Sequence, residues 1–161
     1  MPMVADIHRH FPAAQIDWVV EEGYTSLVGL NPHVRKIIPI ALRRWRKTLF
    51  SAATRAEIGA FRRELQAERY DLVFDTQGLL KTSVVMRMAR LAPQGRRIGL
   101  ANATEGSGYE PISRIFHDQS IPVGLRTHAV TRARLVAAAA LGYQLEGQPD
   151  FALQPPEPAR W

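Results

Sequence analysis

The feature that most constrains this chain is a repeated change of hydrophobic period. Short β-branched runs, Val34–Ile40 and residues 71–75 (DLVFD), alternate with segments whose apolar residues recur every three or four positions. Segments of the first kind are strands and those of the second kind are helices. Strands that alternate with helices of 10–15 residues form βαβ units, and hence a parallel sheet covered on both faces.

The pattern places a helix over 2–10 with Met3, Ile7 and Phe11 on one face, ended by Pro12. A buried strand over 15–20 leads into a Glu21-Glu22-Gly23 turn, and a short helix over 25–30 stops at Asn31-Pro32. Pro39 marks the end or an edge of the next strand. Thr54 and Glu57 fit a capping box for a helix over 54–68, on which Ile58, Phe61 and Leu65 share a face. A buried strand over 71–75 turns at Gln77-Gly78 into a helix carrying Leu80, Val84, Met88 and Leu91 on one side. Pro93-Gln94-Gly95 breaks that helix before a strand over 97–100. An irregular stretch over 101–127 holds a helical turn near 112–116. The Ala-rich helix over 128–141 closes at Gly142, and a last strand over 150–153 enters a proline-rich linker.

This alternation begins on a helix, whereas doubly wound domains begin on a strand whose following turn carries the active-site loop. The expectation is therefore an α/β, Rossmann-like domain over 1–143 without its first strand, with 144–161 leading toward an absent domain. Loss of a central strand would expose edges and apolar faces, so such a chain is expected to be poorly stable or self-associating.

The bulk numbers narrow the function classes. The chain has 161 residues, 46% hydrophobic and 22% charged, which is enough for one globular core and too apolar for disorder. No window reaches the roughly 18 consecutive apolar residues of a membrane span. The start does not read as a signal peptide. Without cysteine there is neither a disulfide framework nor a thiolate metal site, which points to the cytoplasm. A net charge of +6, mostly from arginine, suits an anionic partner, and its plain alternative is a solvated basic surface.

Two segments carry candidate chemistry. Arg43-Arg44-Trp45-Arg46-Lys47, with Arg35 and Lys36 upstream, places cations around an indole. Such a group can clamp phosphates or sugar carboxylates while the indole stacks on a sugar; the plain reading is a basic loop around a half-buried Trp. Basic-aromatic clusters also serve single-stranded nucleic acid, but no nucleic-acid motif accompanies this one. Asp75-Thr76-Gln77-Gly78-Leu79-Leu80-Lys81 follows a strand and opens a helix, where ligands of open α/β sheets bind and where free N–H groups favour an anion. Its plain reading is a cap and a turn. Glu21 and Glu22 occupy an equivalent position and read as a solvated turn rather than an acid–base pair. The five histidines make no metal site: His8 and His10 point apart on their helix, and His33 and His117 lie isolated in loops. His128, at the mouth of the last helix, and Arg132, one turn on, are further candidates for the crevice or for capping.

Taken in order, Phe11-Pro12, Ile16-Asp17-Trp18-Val19-Val20-Glu21-Glu22-Gly23-Tyr24, the 43–47 cluster, Asp75-x-Gln77-Gly78-Leu79-x-Lys81, His128-Ala129-Val130-x-Arg132 and Leu141-Gly142-Tyr143 resemble the lipopolysaccharide heptosyltransferase I family, of glycosyltransferase family 9. The resemblance covers nearly the whole chain. It implies the N-terminal, acceptor-side half of a two-domain GT-B enzyme that moves heptose from ADP-heptose to a Kdo sugar of lipid A, without an essential metal or another cofactor. Arg43, Arg46 and Lys47 match the family's acceptor-facing basic segment. Gln77, Gly78 and Lys81 match a cleft-lining turn, and Arg44, His128 and Arg132 are candidates for the same cleft. The family's catalytic Asp base would precede Met1, and the donor site lies in the other domain, so this portion is expected to be inactive alone. The partners implied are Kdo-lipid A, ADP-heptose through that second domain, and the cytoplasmic face of the inner membrane, with no nucleic acid. The 101–111 loop departs from the family where Tyr109 stands in place of an Arg before Glu110-Pro111. The rival readings are another heptosyltransferase of the family, or a basic module that binds anions or nucleic acid without catalysis.

Overall fold

The computed structural model describes residues 1–154. They form an α/β structure of parallel strands and helices, as the alternating periods dictate. Hydrogen bonding divides the five strands into two sheets, one pairing β1 with β2 and one in the order β3-β4-β5. The chain resolves into two compact units: Met1–Glu64 with the segment from Asp150 onward, and Leu65–Pro149.

In the first unit, α1 (Pro2–His10) starts on a proline, whose fixed φ and missing N–H suit a first helical turn. Met3, Val4 and Ile7 are buried, whereas Phe11 lies beyond the helix and is exposed, so the apolar face is shorter than its spacing suggests. β1 (Ile16–Glu21) pairs in parallel with β2 (Val34–Ile40), joined by a short 3₁₀ turn and α2 (Thr25–Val28). β1 is half-buried along its length rather than fully buried. Pro39 sits within β2 and is exposed, the position where a residue lacking an N–H is tolerated.

His33 is not isolated: its ring stacks on His8 with centroids 3.9 Å apart. α3 (Leu42–Trp45) and α4 (Ala52–Leu65) complete the unit. The expected capping box does not form. Helix α4 begins earlier, and Ser51 Oγ accepts the Thr54 N–H at 3.0 Å, while Glu57 turns to Arg44 and Trp45. Residues 150–153 form no strand. Instead the Phe151 carbonyl accepts from Asn31 Nδ2 at 3.1 Å and from the Met1 ammonium, and Gln154 N donates to Leu30 O. The rest of the expected linker, 155–161, lies outside the described residues.

In the second unit, β3 (Tyr70–Asp75), α5 (Leu80–Met88) and β4 (Leu91–Leu100) make a βαβ unit, and β5 (Gln119–Ile121) adds on the far side of β4. β3 is an edge strand and is buried only at Asp75. Pro93-Gln94-Gly95 breaks no helix. These residues bulge inside β4, whose pairing steps from Tyr70↔Leu91 to Leu72↔Arg96. Helix α5 ends at Met88, and it buries Ser83 and Met86 while Leu80 and Val84 face outward. The apolar spacing marks the outward face instead, because the carboxylate of Asp75 draws the hydroxyls of Thr82 and Ser83 inward. A short 3₁₀ helix spans Pro111–Phe116, in line with the expected helical turn, whereas β5 is only three residues long and leaves no period in the sequence. Ile98, Leu100, Ile121 and Val136 form the core, with α6 (Ala129–Leu141) packed on β4 and β5.

Candidate functional site

The first unit holds an open pocket of about 560 Å³ beyond the carboxyl end of β1, lined by Glu21, Glu22, Gly23, Tyr24, Arg43, Arg44 and Lys47. The Glu21 carboxylate accepts the backbone N–H of Arg43 at 3.0 Å and so fixes where α3 starts. Arg44 forks onto both oxygens of Glu22, at 3.2 and 3.1 Å, and reaches Glu57 through Nη1 at 3.0 Å. These bonds hold the Glu22 carboxyl below its ordinary value and drive the Arg44 guanidinium further above its own. Trp45 is buried against Phe61, and its indole N–H donates to Glu57 at 2.8 Å. That N–H is the first cause, and Arg44 the second, of a lowered Glu57 pKa.

The five residues of the basic cluster therefore divide. Trp45 is a packing residue and has no free face for a sugar, and Arg44 is committed to two carboxylates. Arg35 and Lys36 are spent on Asp17, at 2.7 Å, and Glu64, at 3.5 Å. Arg43, Arg46 and Lys47 expose their side chains, and none of the three forms an ion pair among the described residues. Exposed cations on a tied-down turn can donate to phosphate or carboxylate oxygens without the backbone first having to be ordered.

In the second unit the 75–81 turn is built around one buried carboxylate. Asp75 Oδ1 accepts the N–H groups of Gln77 (3.0 Å) and Gly78 (3.1 Å), and Oδ2 accepts the hydroxyls of Thr82 (3.0 Å) and Ser83 (2.7 Å). The hydroxyls follow Asp75 by seven and eight residues, a signal that the sequence shows but that its period does not weigh. Gly78 adopts φ +68°, and a β-carbon there would sit 2.7 Å from the Tyr109 ring. The N–H at the start of α5, where an anion was expected, is already occupied: Leu80 N donates to the Glu110 carboxylate at 2.6 Å. Lys81 is exposed, and with Leu79, Leu80 and Glu110 it lines an open depression of about 430 Å³.

His128 caps α6, its Nδ1 accepting the Val130 N–H at 3.4 Å. Arg132 is buried, donates to Thr104 Oγ1 at 2.7 Å, and keeps its Nε without a partner among the described residues; burial pulls its pKa down. His117 packs so closely on Gly99 that a β-carbon there would overlap the ring. Its Nδ1 lies 3.2 Å from Ser120 Oγ, and burial lowers its pKa against an opposing pull from Asp75. Among the described residues no group of three or more His, Asp or Glu could hold a metal ion, and no helix is long and apolar enough to cross a membrane.

Parallel βαβ pairing, with charged and hydrogen-bonding side chains beyond the carboxyl ends of β1 and β3, is Rossmann-like, and the likeness to a solved enzyme gives the class: one half of a GT-B glycosyltransferase. The family model of glycosyltransferase family 9 (heptosyltransferase) matches residues 58–160, and this chain belongs to that family. Lipopolysaccharide heptosyltransferase 1 of Escherichia coli K12 is 39% identical over 154 residues, 95% of this chain and 46% of the relative. The Pseudomonas aeruginosa PAO1 protein of the same name is 38% identical over 95% of this chain and 42% of its own length. The E. coli heptosyltransferase WaaC, solved with ADP-2-deoxy-2-fluoro heptose and with ADP, superposes with a TM-score of 0.83 at 37% identity, over 94% of this chain and 46% of that one. The chain thus spans about half the length of the relatives it matches.

Proposed function

We propose that this chain is the acceptor-binding portion of an enzyme that transfers heptose from ADP-heptose to the Kdo region of lipid A in lipopolysaccharide inner-core synthesis. The observation that carries this reading is identity of 38–39% to lipopolysaccharide heptosyltransferases 1 across 95% of the chain. In this reading residues 1–143 form the acceptor-side domain, and 144–161 lead toward the domain that holds ADP-heptose. The work takes place in the cytoplasm, at the cytoplasmic face of the inner membrane.

Transfer needs a base to remove the proton of the attacking hydroxyl. The carboxylates lining the first unit's pocket suit that role poorly. Glu22 is held ionised by Arg44, and a carboxyl with a lowered pKa is a weak proton acceptor, while Glu21 is engaged by the Arg43 N–H. What this chain supplies is binding: Arg43, Arg46 and Lys47 donate to acceptor anions, while Gln77, Gly78 and Lys81 present a second polar turn. Arg44, His128 and Arg132 take the supporting roles of holding the pocket wall, the helix start and the 101–107 loop.

Calorimetric titration with a soluble, phosphorylated Kdo headgroup tests this directly. The chain is expected to bind it in a salt-sensitive manner and to show no turnover when ADP-heptose is added. Arg43→Ala and Lys47→Ala should each weaken binding about tenfold, the loss of one charge-assisted hydrogen bond. Tighter binding of single-stranded nucleic acid than of the headgroup would replace this reading with that of a general polyanion module.

A further inference from the structure

We propose that the turn after α3 is a membrane-insertion loop, in which Leu49 and Phe50 enter an anionic lipid surface while Arg43, Arg46, Lys47 and Arg55 bind its headgroups. This rests on the reading of the protein as one that works at a membrane, and it names the element that makes contact. Phe50 is 90% exposed and Leu49 50%, consecutive in sequence. Single exposed apolar residues are ordinary on protein surfaces. Two features set this pair apart.

The first is that the tip is not loose. Lys47 N donates to Arg44 O, Thr48 N to Trp45 O, and Ser51 N to Thr48 O, which winds the turn tightly. Below it, the hydroxyls of Thr48 and Thr54 lie 2.8 Å apart, and Ser51 Oγ reaches Thr54 Oγ1 at 3.1 Å. Buried Trp45, bonded to Glu57, anchors the start of the turn. With the backbone of the turn already fixed, insertion has only the ring itself to order, and water gives that apolar ring no stabilisation where it stands.

The second is charge. From Leu42 to Ala56 the sequence has Arg43, Arg44, Arg46, Lys47 and Arg55 and no acidic residue. Arg44 is neutralised by Glu22 and Glu57, whereas Arg43, Arg46, Lys47 and Arg55 are exposed and form no ion pair among the described residues. An apolar tip collared by unpaired cations matches a bilayer with negative headgroups and an apolar interior. A protein partner of matching shape would have to supply acidic groups and an apolar socket together.

Vesicle co-sedimentation of the full chain tests this, with phosphatidylglycerol–phosphatidylcholine vesicles compared with pure phosphatidylcholine. Binding is expected only to the anionic vesicles and should weaken in high salt. Phe50→Ser should lower the partition coefficient about tenfold, the order expected for removing one aromatic side chain from an apolar medium, with its melting curve unchanged. Phe50→Trp should restore binding and gain fluorescence quenching from lipids brominated in their acyl chains. Equal sedimentation of Phe50→Ser and the parent chain, or an unquenched Trp at 50, would overturn the proposal. So would a Phe50→Ser change that abolishes self-association but leaves vesicle binding intact. Phe50→Ser should keep its affinity for the soluble Kdo headgroup. A parent chain that binds vesicles but no headgroup would fail the acceptor reading alone.

Discussion

Two strands of this chain, β1 and β3, end in carboxylates, and the segments around them use those carboxylates in opposite ways. After β1, Glu21 and Glu22 reach out to α3, one fixing a backbone N–H and the other a guanidinium. The result is a basic segment where part of the positive charge is absorbed and the rest, on Arg43, Arg46 and Lys47, stays exposed. After β3, Asp75 turns inward and satisfies four donors of its own turn. A carboxylate spent internally makes a rigid turn, on which Lys81 is the exposed cation. Carboxylates spent on a neighbouring helix position a basic surface instead. The same location in a βα unit thus yields an internally bonded turn in one unit and an exposed basic surface in the other.

The largest expected effect breaks the inward-facing turn. Asp75→Ala leaves two backbone N–H groups and two hydroxyls without their acceptor and should cost about 3 kcal/mol in urea unfolding. Asp75→Asn, which keeps an acceptor oxygen, should cost distinctly less. An equal loss for both would mean that the charge, not the hydrogen bonding, holds the turn. Next comes Gly78→Ala, which forces a side chain into left-handed backbone against Tyr109 and should cost about 2 kcal/mol. Coupling with Tyr109→Ala in a double-mutant cycle would show how much of that is the ring.

In the outward-facing region the expected change is smaller. Ser51→Ala removes the cap of α4 and one member of the hydroxyl group beneath the Leu49 and Phe50 turn, and should cost about 1 kcal/mol. Thr54→Val keeps the capped N–H and the buried methyl while removing the hydroxyl, and so separates the cap from the hydroxyl contacts. A loss above that of Asp75→Ala would reverse the contrast between the two regions.

The smallest effect is a dependence on pH. Burial lowers the folded pKa of His117 below its unfolded value, so the unfolded chain takes up the proton first as pH falls. This contribution is intact above about pH 6.5 and is lost progressively as pH drops through the unfolded and then the folded pKa. The urea midpoint should therefore fall between about pH 7.5 and pH 5. The fall should be shallower in His117→Gln, and an identical slope in that variant would remove His117 as its source.

Much of this was legible in the chain itself. α1, β2, the helix ending at Gly142 and the basic 43–47 segment follow from period, proline and glycine placement, and charge. The division of labour within 43–47 was not legible, because whether a cation is free depends on Glu22 and Glu57, distant in sequence. The outward face of α5 was misread for the same kind of reason: Asp75 outweighs the apolar period by offering Ser83 a buried acceptor. The bulge in β4 looked like a helix break, since proline and glycine punctuate both.

By itself, then, the sequence determined the α/β class, the family and the presence of a basic segment, because hydrophobic period and residue order are local properties of the chain. Only the tertiary structure decided which cations remain unpaired, that Trp45 is packing rather than a sugar platform, and that Phe50 stands exposed on a fixed turn. Each of those depends on whether a partner from elsewhere in the chain arrives within hydrogen-bonding distance, and local pattern carries no record of that.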